Sequence, residues 1–213
     1  MFEKDYFEKS HFSKMGGYEL LTKLNSWRPK KYRKLILKSS TPNHKTLLDI
    51  GCAYGHFLEI LQNDFIVHGT DISRHAIKIA KRRVNCSYDI GNIEKEGIPF
   101  KQKFDIITAL SVIEHLKDPR KGLENIYEHL NEGGLFCFEV PTISNKKSAF
   151  FYKLFFSYDK THVFIKSVDE IERLVKLVGF KKVAIYSSLF PIFTKKKNFV
   201  EMFSFIFGIF KKI

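Results

Sequence analysis

The sequence predicts an α/β fold, a mostly parallel sheet with helices on both faces. Three observations predict it. After residue 44, short apolar runs alternate with amphipathic segments of helical length, the pattern of a parallel sheet joined by helical crossovers. The first run breaks into a glycine-containing turn, Gly51-Cys52-Ala53-Tyr54-Gly55, ahead of an amphipathic segment. Asp71 follows Gly51 by 20 positions, at the end of the next apolar run. Such a turn brings backbone N–H groups close to a ligand, and a carboxylate at the neighbouring strand tip can accept both hydroxyls of a ribose. Together they predict a nucleoside-containing cofactor bound across the carboxyl ends of two adjacent parallel strands.

Residues 1–44 hold no strand-like run. Leu20, Leu21, Leu24 and Trp27 keep helical spacing, and Tyr32, Leu35 and Ile36 resume it beyond Pro29, so one or two helices ending near Ser39 are expected as a cap. Thr41-Pro42-Asn43 is a turn. Strands are expected over 46–50, 65–70, 86–89, 104–110 and 135–140. Ser73 can cap a helix carrying Ala76, Ile77 and Ala80. Asp118-Pro119 places a cap and a first-turn proline ahead of Leu123, Ile126, Tyr127 and Leu130, with Gly133-Gly134 as the stop. Ser167-Val168-Asp169-Glu170 is a capping box opening a helix through Ile171, Leu174, Val175 and Val178, ended by Gly179. A sixth strand is expected over 182–187. In 199–213, Met202, Phe203, Phe205, Ile206, Phe207, Ile209 and Phe210 nearly surround any axis, and flanking lysines suit an amphipathic membrane-surface anchor. No internal repeat or low-complexity linker divides the chain.

At 213 residues the chain has the size of one domain, able to bury about 70 % of its unfolded surface. A hydrophobic content of 44 % argues against disorder. No run reaches the roughly 18 apolar residues of a membrane span, and Met1-Phe2-Glu3-Lys4-Asp5-Tyr6 lacks a signal-peptide core. Cys52, Cys86 and Cys137 have no C-x-x-C spacing and read as buried small residues in a reducing compartment. A cytoplasmic enzyme without a metal site is expected. The net charge of +13 reads as solvated lysine-rich faces or as a preference for a polyanion: anionic lipid, a nucleotide-linked substrate or RNA. The clusters at 28–34 and 195–197 are where such a partner would be sought.

The turn itself narrows the cofactor. A pyrophosphate site needs G-x-G-x-x-G, but Ala53 and His56 stand at the second and third glycine positions, and no Gly-Lys-Ser/Thr follows for a P-loop. Asp49 inside the strand repels phosphate and suits a cationic amino-acid group. Asp49-Ile50-Gly51-Cys52-Ala53-Tyr54-Gly55 resembles motif I of the class I S-adenosyl-L-methionine (SAM)-dependent methyltransferases, and Asp71 resembles their ribose-binding acid. Two later blocks extend the resemblance over roughly 46–188. Residues 89–100, Asp-Ile-Gly-Asn-Ile-Glu-Lys-Glu-Gly-Ile-Pro-Phe, are similar to the family's segment after the third strand, and 104–116 resemble its fourth strand and Glu-His-Leu turn.

The resemblance implies a Rossmann-like three-layer sandwich with a seven-stranded, mostly parallel sheet. The family's last strand runs antiparallel between the fifth and sixth, and 199–213 would then supply it instead of an anchor. SAM is the implied cofactor. Its implied contacts are Gly51, Cys52, Ala53 and Gly55 in the turn, Asp49 toward the methionine ammonium, Asp71 on the ribose, and Ile72 on the adenine. Asn92, with Asp89 competing, would meet the adenine amino group, with Ile93 beside it, and Leu110 with Ser111 would face the sulfonium. Tyr6-Phe7 and Gly16-Gly17-Tyr18 resemble cap residues that close over the cofactor.

Residues 142–166 form a long aromatic insertion at the carboxyl edge of the sheet, a natural acceptor lid. Its Asp159-x-x-His162 end resembles a short family element before the penultimate helix. An imidazole with an ordinary pKa near 6.5 is a workable base, so His162 is one candidate for removing an acceptor proton and His115 the other. The Asn/Asp-Pro-Pro-Tyr/Phe motif of base and glutamine N-methyltransferases is absent, which counts against nucleic acid as acceptor. The expected protein is therefore one methyltransferase domain over 1–213 with a helical cap (1–44) and a lid (142–166). It would methylate a small or lipid-linked acceptor at a hydroxyl, with peripheral contact to anionic membranes. RNA methylation, carbon methylation and a non-catalytic SAM-binding module are the alternatives.

Overall fold

The computed structural model describes residues 2–9, 17–155, 157, 159–187 and 205–213. The cap consists of helices α1 (Lys4–Lys9), α2 (Tyr18–Leu24) and α3 (Trp27–Ser39), one more than the spacing predicts. There follow β1 (Thr46–Ile50), α4 (His56–Leu61), β2 (Ile66–Asp71), α5 (Arg74–Arg83), β3 (Ser87–Ile90) and β4 (Phe104–Leu110). A 3₁₀ turn (Ile113–His115), α6 (Pro119–Glu128), β5 (Leu130–Pro141), α7 (Lys146–Phe155), α8 (Val168–Leu177), β6 (Phe180–Ser187) and β7 (Phe205–Lys212) complete the order. The strands form one sheet in the order β3-β2-β1-β4-β5-β7-β6, parallel except where β7 pairs antiparallel with β5 and β6. Strand order reverses between β1 and β4. In open α/β sheets that reversal leaves a crevice at the carboxyl ends, where ligands bind.

The local signals act as the sequence suggests. Ser73 Oγ accepts from Ala76 N, Asp118 Oδ1 accepts from Lys121 N with Pro119 in the first turn, and Ser167 with Glu170 makes a reciprocal capping box. Apolar residues of neighbouring parity fall on opposite faces of the sheet. Leu48, Ile107, Phe136 and Phe210 pack with Leu123, Ile126, Ile171 and Val175 on one side, while Leu47, Ile106 and Phe207 pack with Tyr32, Ile36, Leu58 and Leu61 on the other.

Three expectations change. Leu130 does not end α6: the helix stops at Glu128, and Leu130 pairs with Phe104 as the first residue of β5. Phe104 N donates to His129 O at 2.8 Å, so the β4 edge draws the chain into the sheet before the glycines are reached. The lid carries a helix of its own, α7. The membrane-anchor reading fails for 205–212, which form β7 with all of 205–210 buried. Strand β7 lies inside the sheet with both faces covered, which explains the excess phenylalanine: Phe207 stacks on Tyr32 at 4.2 Å and Phe210 lies 5.7 Å from Phe138 on the opposite face. Gly208 is required there, because a Cβ would come within 2.7 Å of the Phe138 ring. Residues 199–204, the 195–197 lysines and Gly16 lie outside the described residues. Among the described residues, no helix is long and apolar enough to cross a membrane.

Candidate active site

A cavity of about 530 Å³ opens at the carboxyl ends of β1 to β5 under the cap, well within the size of small-ligand sites. One half is the glycine turn. Gly51 N and Cys52 N donate to Thr70 O at 2.8 and 3.1 Å, tying the turn to β2. Gly51 and Gly55 take φ of +68° and +78°, and a Cβ on Gly51 would stand 2.5 Å from Val112 Cγ2. Ala53, at the second glycine position, adopts φ +45°. Its N–H is donated to Asp71 Oδ2 at 2.9 Å, while Asp71 Oδ1 accepts from Ser73 N at 2.8 Å. The carboxylate at the tip of β2 thus fastens the turn to the α5 cap and still faces the cavity. Cys52 and Ile93 line the cavity as buried residues, and Ile72 lines it while half exposed.

Asp49 is buried beneath the turn, and burial pushes its carboxyl up to about 7 although Thr108 Oγ1 donates to Oδ1 at 2.6 Å. Among the described residues no cationic side chain pairs with it. A buried carboxylate without a cation, beside a turn open for backbone approach and a diol-accepting acid, fits SAM with its ammonium and ribose. Asn92 also lines the cavity, but its Oδ1 accepts from Glu94 N and Lys95 N at 3.0 and 3.3 Å, so it caps the following turn as well.

Across Leu110 the other half of the cavity is built from the 3₁₀ turn and the lid. Ser111 begins it with φ +53°, a conformation that costs a non-glycine residue about 1–2 kcal/mol. Val163 N and Phe164 N both donate to Glu114 O, at 2.9 and 3.0 Å, which clamps the end of the lid onto the turn. That clamp brings His115 and His162 together, with ring centroids 5.0 Å apart. His115 Nδ1 lies 3.2 Å from Thr161 O and 2.9 Å from Thr161 Oγ1. His162 Nδ1 lies 3.0 Å from Tyr152 Oη, and its Nε2 is 3.8 Å from Asp159 Oδ2. Tyr6 of the cap donates to that Asp159 oxygen at 2.9 Å, closing the cap against the lid. Hydrogen bonds from Thr161 hold the Asp159 carboxyl below its usual range against the effect of burial. Burial pushes Glu114 the other way, up to about 8.

Of the residues predicted from sequence, Asp49, Gly51, Cys52, Ala53, Asp71, Ile72, Asn92, Ile93, Leu110, His115 and His162 all line this one cavity. Gly55 does not line it; it closes the turn through its N–H to Cys52 O at 2.8 Å and forms the N-cap of α4. Sequence reasoning missed Glu114 as a buried wall residue, though the Glu-His-Leu block names it. It also missed Glu139, whose Oε1 accepts from both Arg28 and Tyr32 on α3. The cavity wall is strongly acidic for a chain of +13: Asp49, Asp71, Glu94, Glu114, Glu139 and Asp159 line it, and among the described lining residues Arg28 is the one lysine or arginine.

Comparison with known proteins agrees with this geometry. Residues 24–185 match the family model described as Methyltransferase domain. The chain belongs to that family: it is a class I SAM-dependent methyltransferase by sequence and fold, and SAM is the cofactor that membership implies. The ubiquinone biosynthesis O-methyltransferase of Coxiella burnetii is 32 % identical over 130 residues, covering 57 % of this chain and 53 % of the relative. The mitochondrial enzyme of the same name from Schizosaccharomyces pombe is 28 % identical over 144 residues, covering 60 % and 52 %. The chain therefore spans about half the length of the curated relatives it matches. Solved SAM-dependent methyltransferases from Thermotoga maritima (TM-score 0.69, 21 % identity, 91 % and 92 % covered) and Clostridium acetobutylicum (0.68, 15 %, 88 % and 91 %) share the fold.

Proposed function

We propose that the chain transfers a methyl group from SAM to a hydroxyl oxygen of a small or lipid-linked acceptor. The observation that carries this reading is the division of one cavity. A backbone cradle with Asp49 and Asp71 lies at β1 and β2, and proton-handling side chains, Glu114, His115, Asp159 and His162, lie beyond Leu110. Bound SAM supplies a methyl group already activated by its sulfonium, so the protein's part is placement and removal of the acceptor's proton. Gly51, Cys52 and Ala53 let the backbone approach, with Gly55 holding the turn in shape. Asp71 accepts the ribose hydroxyls, Asp49 balances the ammonium, and Ile72, Asn92 and Ile93 border the adenine. Leu110 separates the sulfonium from the acceptor side. His162 and His115 are the catalytic residues, promoting loss of the acceptor's proton. The names of the Coxiella and Schizosaccharomyces relatives support oxygen as the methylated atom.

A lipid-linked acceptor is favoured by the outer surface of the lid. Helix α7 exposes Phe150 and Leu154, one turn apart, among Lys146, Lys147 and Lys153, and its Tyr152 meets His162 at the cavity. An apolar pair ringed by lysines suits an anionic lipid surface. The test is transfer of labelled methyl from SAM to lipid extracts, phenols, sugars and amines. Labelled ether product that His162→Ala reduces supports the reading. Exclusive labelling of amines or RNA, or none with any acceptor despite SAM binding, contradicts it.

A further inference from the structure

Glu114 has a position that acceptor deprotonation by an imidazole does not require. It is 1 % exposed on the 3₁₀ turn, yet among the described residues nothing hydrogen-bonds to its Oε2, a costly state for a buried carboxyl oxygen. Glu114, His115 and His162 each offer one ligand atom, and these atoms all lie within 4.8 Å of one another on the cavity wall. We propose that these three residues bind a first-row transition-metal dication of the Zn²⁺ type, with its open coordination positions turned toward the acceptor oxygen.

The donor set, the distances and the surrounding hydrogen bonds all bear on this. Two imidazoles and one carboxylate are a set that suits zinc or iron and poorly suits magnesium, which prefers oxygen alone. In a tetrahedral site, ligand atoms bound at about 2.0–2.2 Å lie about 3.3–3.6 Å apart, so closing on an ion from separations of up to 4.8 Å needs side-chain movement on the order of 1 Å or less. The ligands come from two segments, and the Val163 and Phe164 bonds to Glu114 O hold those segments together without help from any ion. The first ring is also oriented for the task. A carbonyl oxygen can only accept, so the contact with Thr161 O places the His115 proton on Nδ1 and the lone pair on Nε2. Thr161 Oγ1 in turn donates to Asp159 Oδ1. An imidazole fixed through its far nitrogen to a carbonyl, itself backed by a carboxylate, is the supporting arrangement that metal-binding histidines use. The contact between Tyr152 Oη and His162 Nδ1 holds the second ring in place and leaves Nε2 as the ligand atom when the phenol oxygen accepts.

The use of the ion, polarising an acceptor oxygen so that it sheds its proton, rests on the proposed function and would replace direct deprotonation by either imidazole, whose lone pair the ion then occupies. The binding of the ion does not rest on that function. Untagged full-length protein, stripped with chelator, is titrated with Zn²⁺ in competition with a chromophoric chelator, and separately with S-adenosylhomocysteine. One zinc per chain is expected. Glu114→Gln and His162→Gln should each weaken it at least about 10- to 100-fold, the loss that even supporting residues cause, with S-adenosylhomocysteine affinity unchanged. No stoichiometric zinc, or equal affinity in wild type and both variants, overturns the proposal. Should the variants not fold, zinc-edge anomalous diffraction from wild-type crystals decides: a peak bonded to all three side chains supports the site, and a peak elsewhere or none refutes it. Loss of zinc binding alone leaves the proposed function standing, and loss of nucleoside binding alone leaves the metal site standing.

Discussion

Replacing Asp71 tests the cofactor half most sharply, because this carboxylate has two tasks that different substitutions separate. In the folded protein it accepts from Ala53 N at 2.9 Å and Ser73 N at 2.8 Å, and it faces the cavity where the ribose is proposed to lie. Asp71→Ala removes both acceptors and leaves two backbone donors to find water, so the fold should lose about 1–3 kcal/mol. Ligand affinity should fall further than that structural loosening explains. Charge-assisted hydrogen bonds to a diol contribute about 1.5–3 kcal/mol, or roughly 10- to 150-fold in Kd. Asp71→Asn keeps one acceptor oxygen in the same shape and loses the charge, so it should fall between wild type and Ala in both stability and affinity. The assay is calorimetric titration with S-adenosylhomocysteine at a temperature where circular dichroism shows each variant folded. Folded Asp71→Ala binding within about twofold of wild type would refute the ribose assignment.

Four further outcomes follow from the same geometry. Asp49 holds a proton in the folded protein up to about pH 7 that an unfolded carboxyl releases near its ordinary 3.8, so its contribution to stability should fall as pH rises from about 4 to 7. Chemical denaturation at pH 5 and pH 8 should therefore show Asp49→Asn gaining on wild type at the higher pH, and an unchanged difference would contradict the buried carboxyl. Gly51→Ala combines φ +68° with a 2.5 Å approach to Val112 and should cost about 1–3 kcal/mol of stability by thermal melting; removing the Val112 side chain as well should recover only part of that loss. Deleting 205–213 strips an internal strand, so the truncated chain should be insoluble or lack a cooperative melt; a folded truncation product would refute the register of β7. His162→Ala should lower methyl transfer about 10²- to 10⁴-fold with cofactor affinity little changed, measured by labelled product formation and calorimetry.

What could be read from the sequence was local. Ser73, Asp118 and Ser167 announce helix starts because a cap and its partner lie within three residues, and the turn from Gly51 to Gly55 announces itself by its two glycines, which take φ of +68° and +78°. Leu130 misled because apolar spacing alone fits helix and strand equally, and the pairing with Phe104 that decides it is not local. The need for glycine at 208 is set by Phe138, 70 positions earlier in sequence, whose ring lies over it. On the acceptor side, the burial of Glu114 depends on backbone donors at 163 and 164, and Glu139 is matched by Arg28 from the cap. Such partners are chosen by the topology, which sets distant segments side by side at the carboxyl ends of the strands. The two histidines were visible as candidates, but their convergence was not.

The central claim is that one cavity holds SAM at β1 to β3 and the acceptor beyond Leu110. A crystal structure of the full chain with S-adenosylhomocysteine tests it directly. The account predicts ribose hydroxyls on Asp71, the amino group beside Asp49, the adenine bordered by Ile72, Asn92 and Ile93, and the sulfur facing Leu110 with His115 and His162 beyond it. A nucleoside bound elsewhere, or bound with its ribose away from Asp71 and its sulfur turned from the histidines, would contradict it.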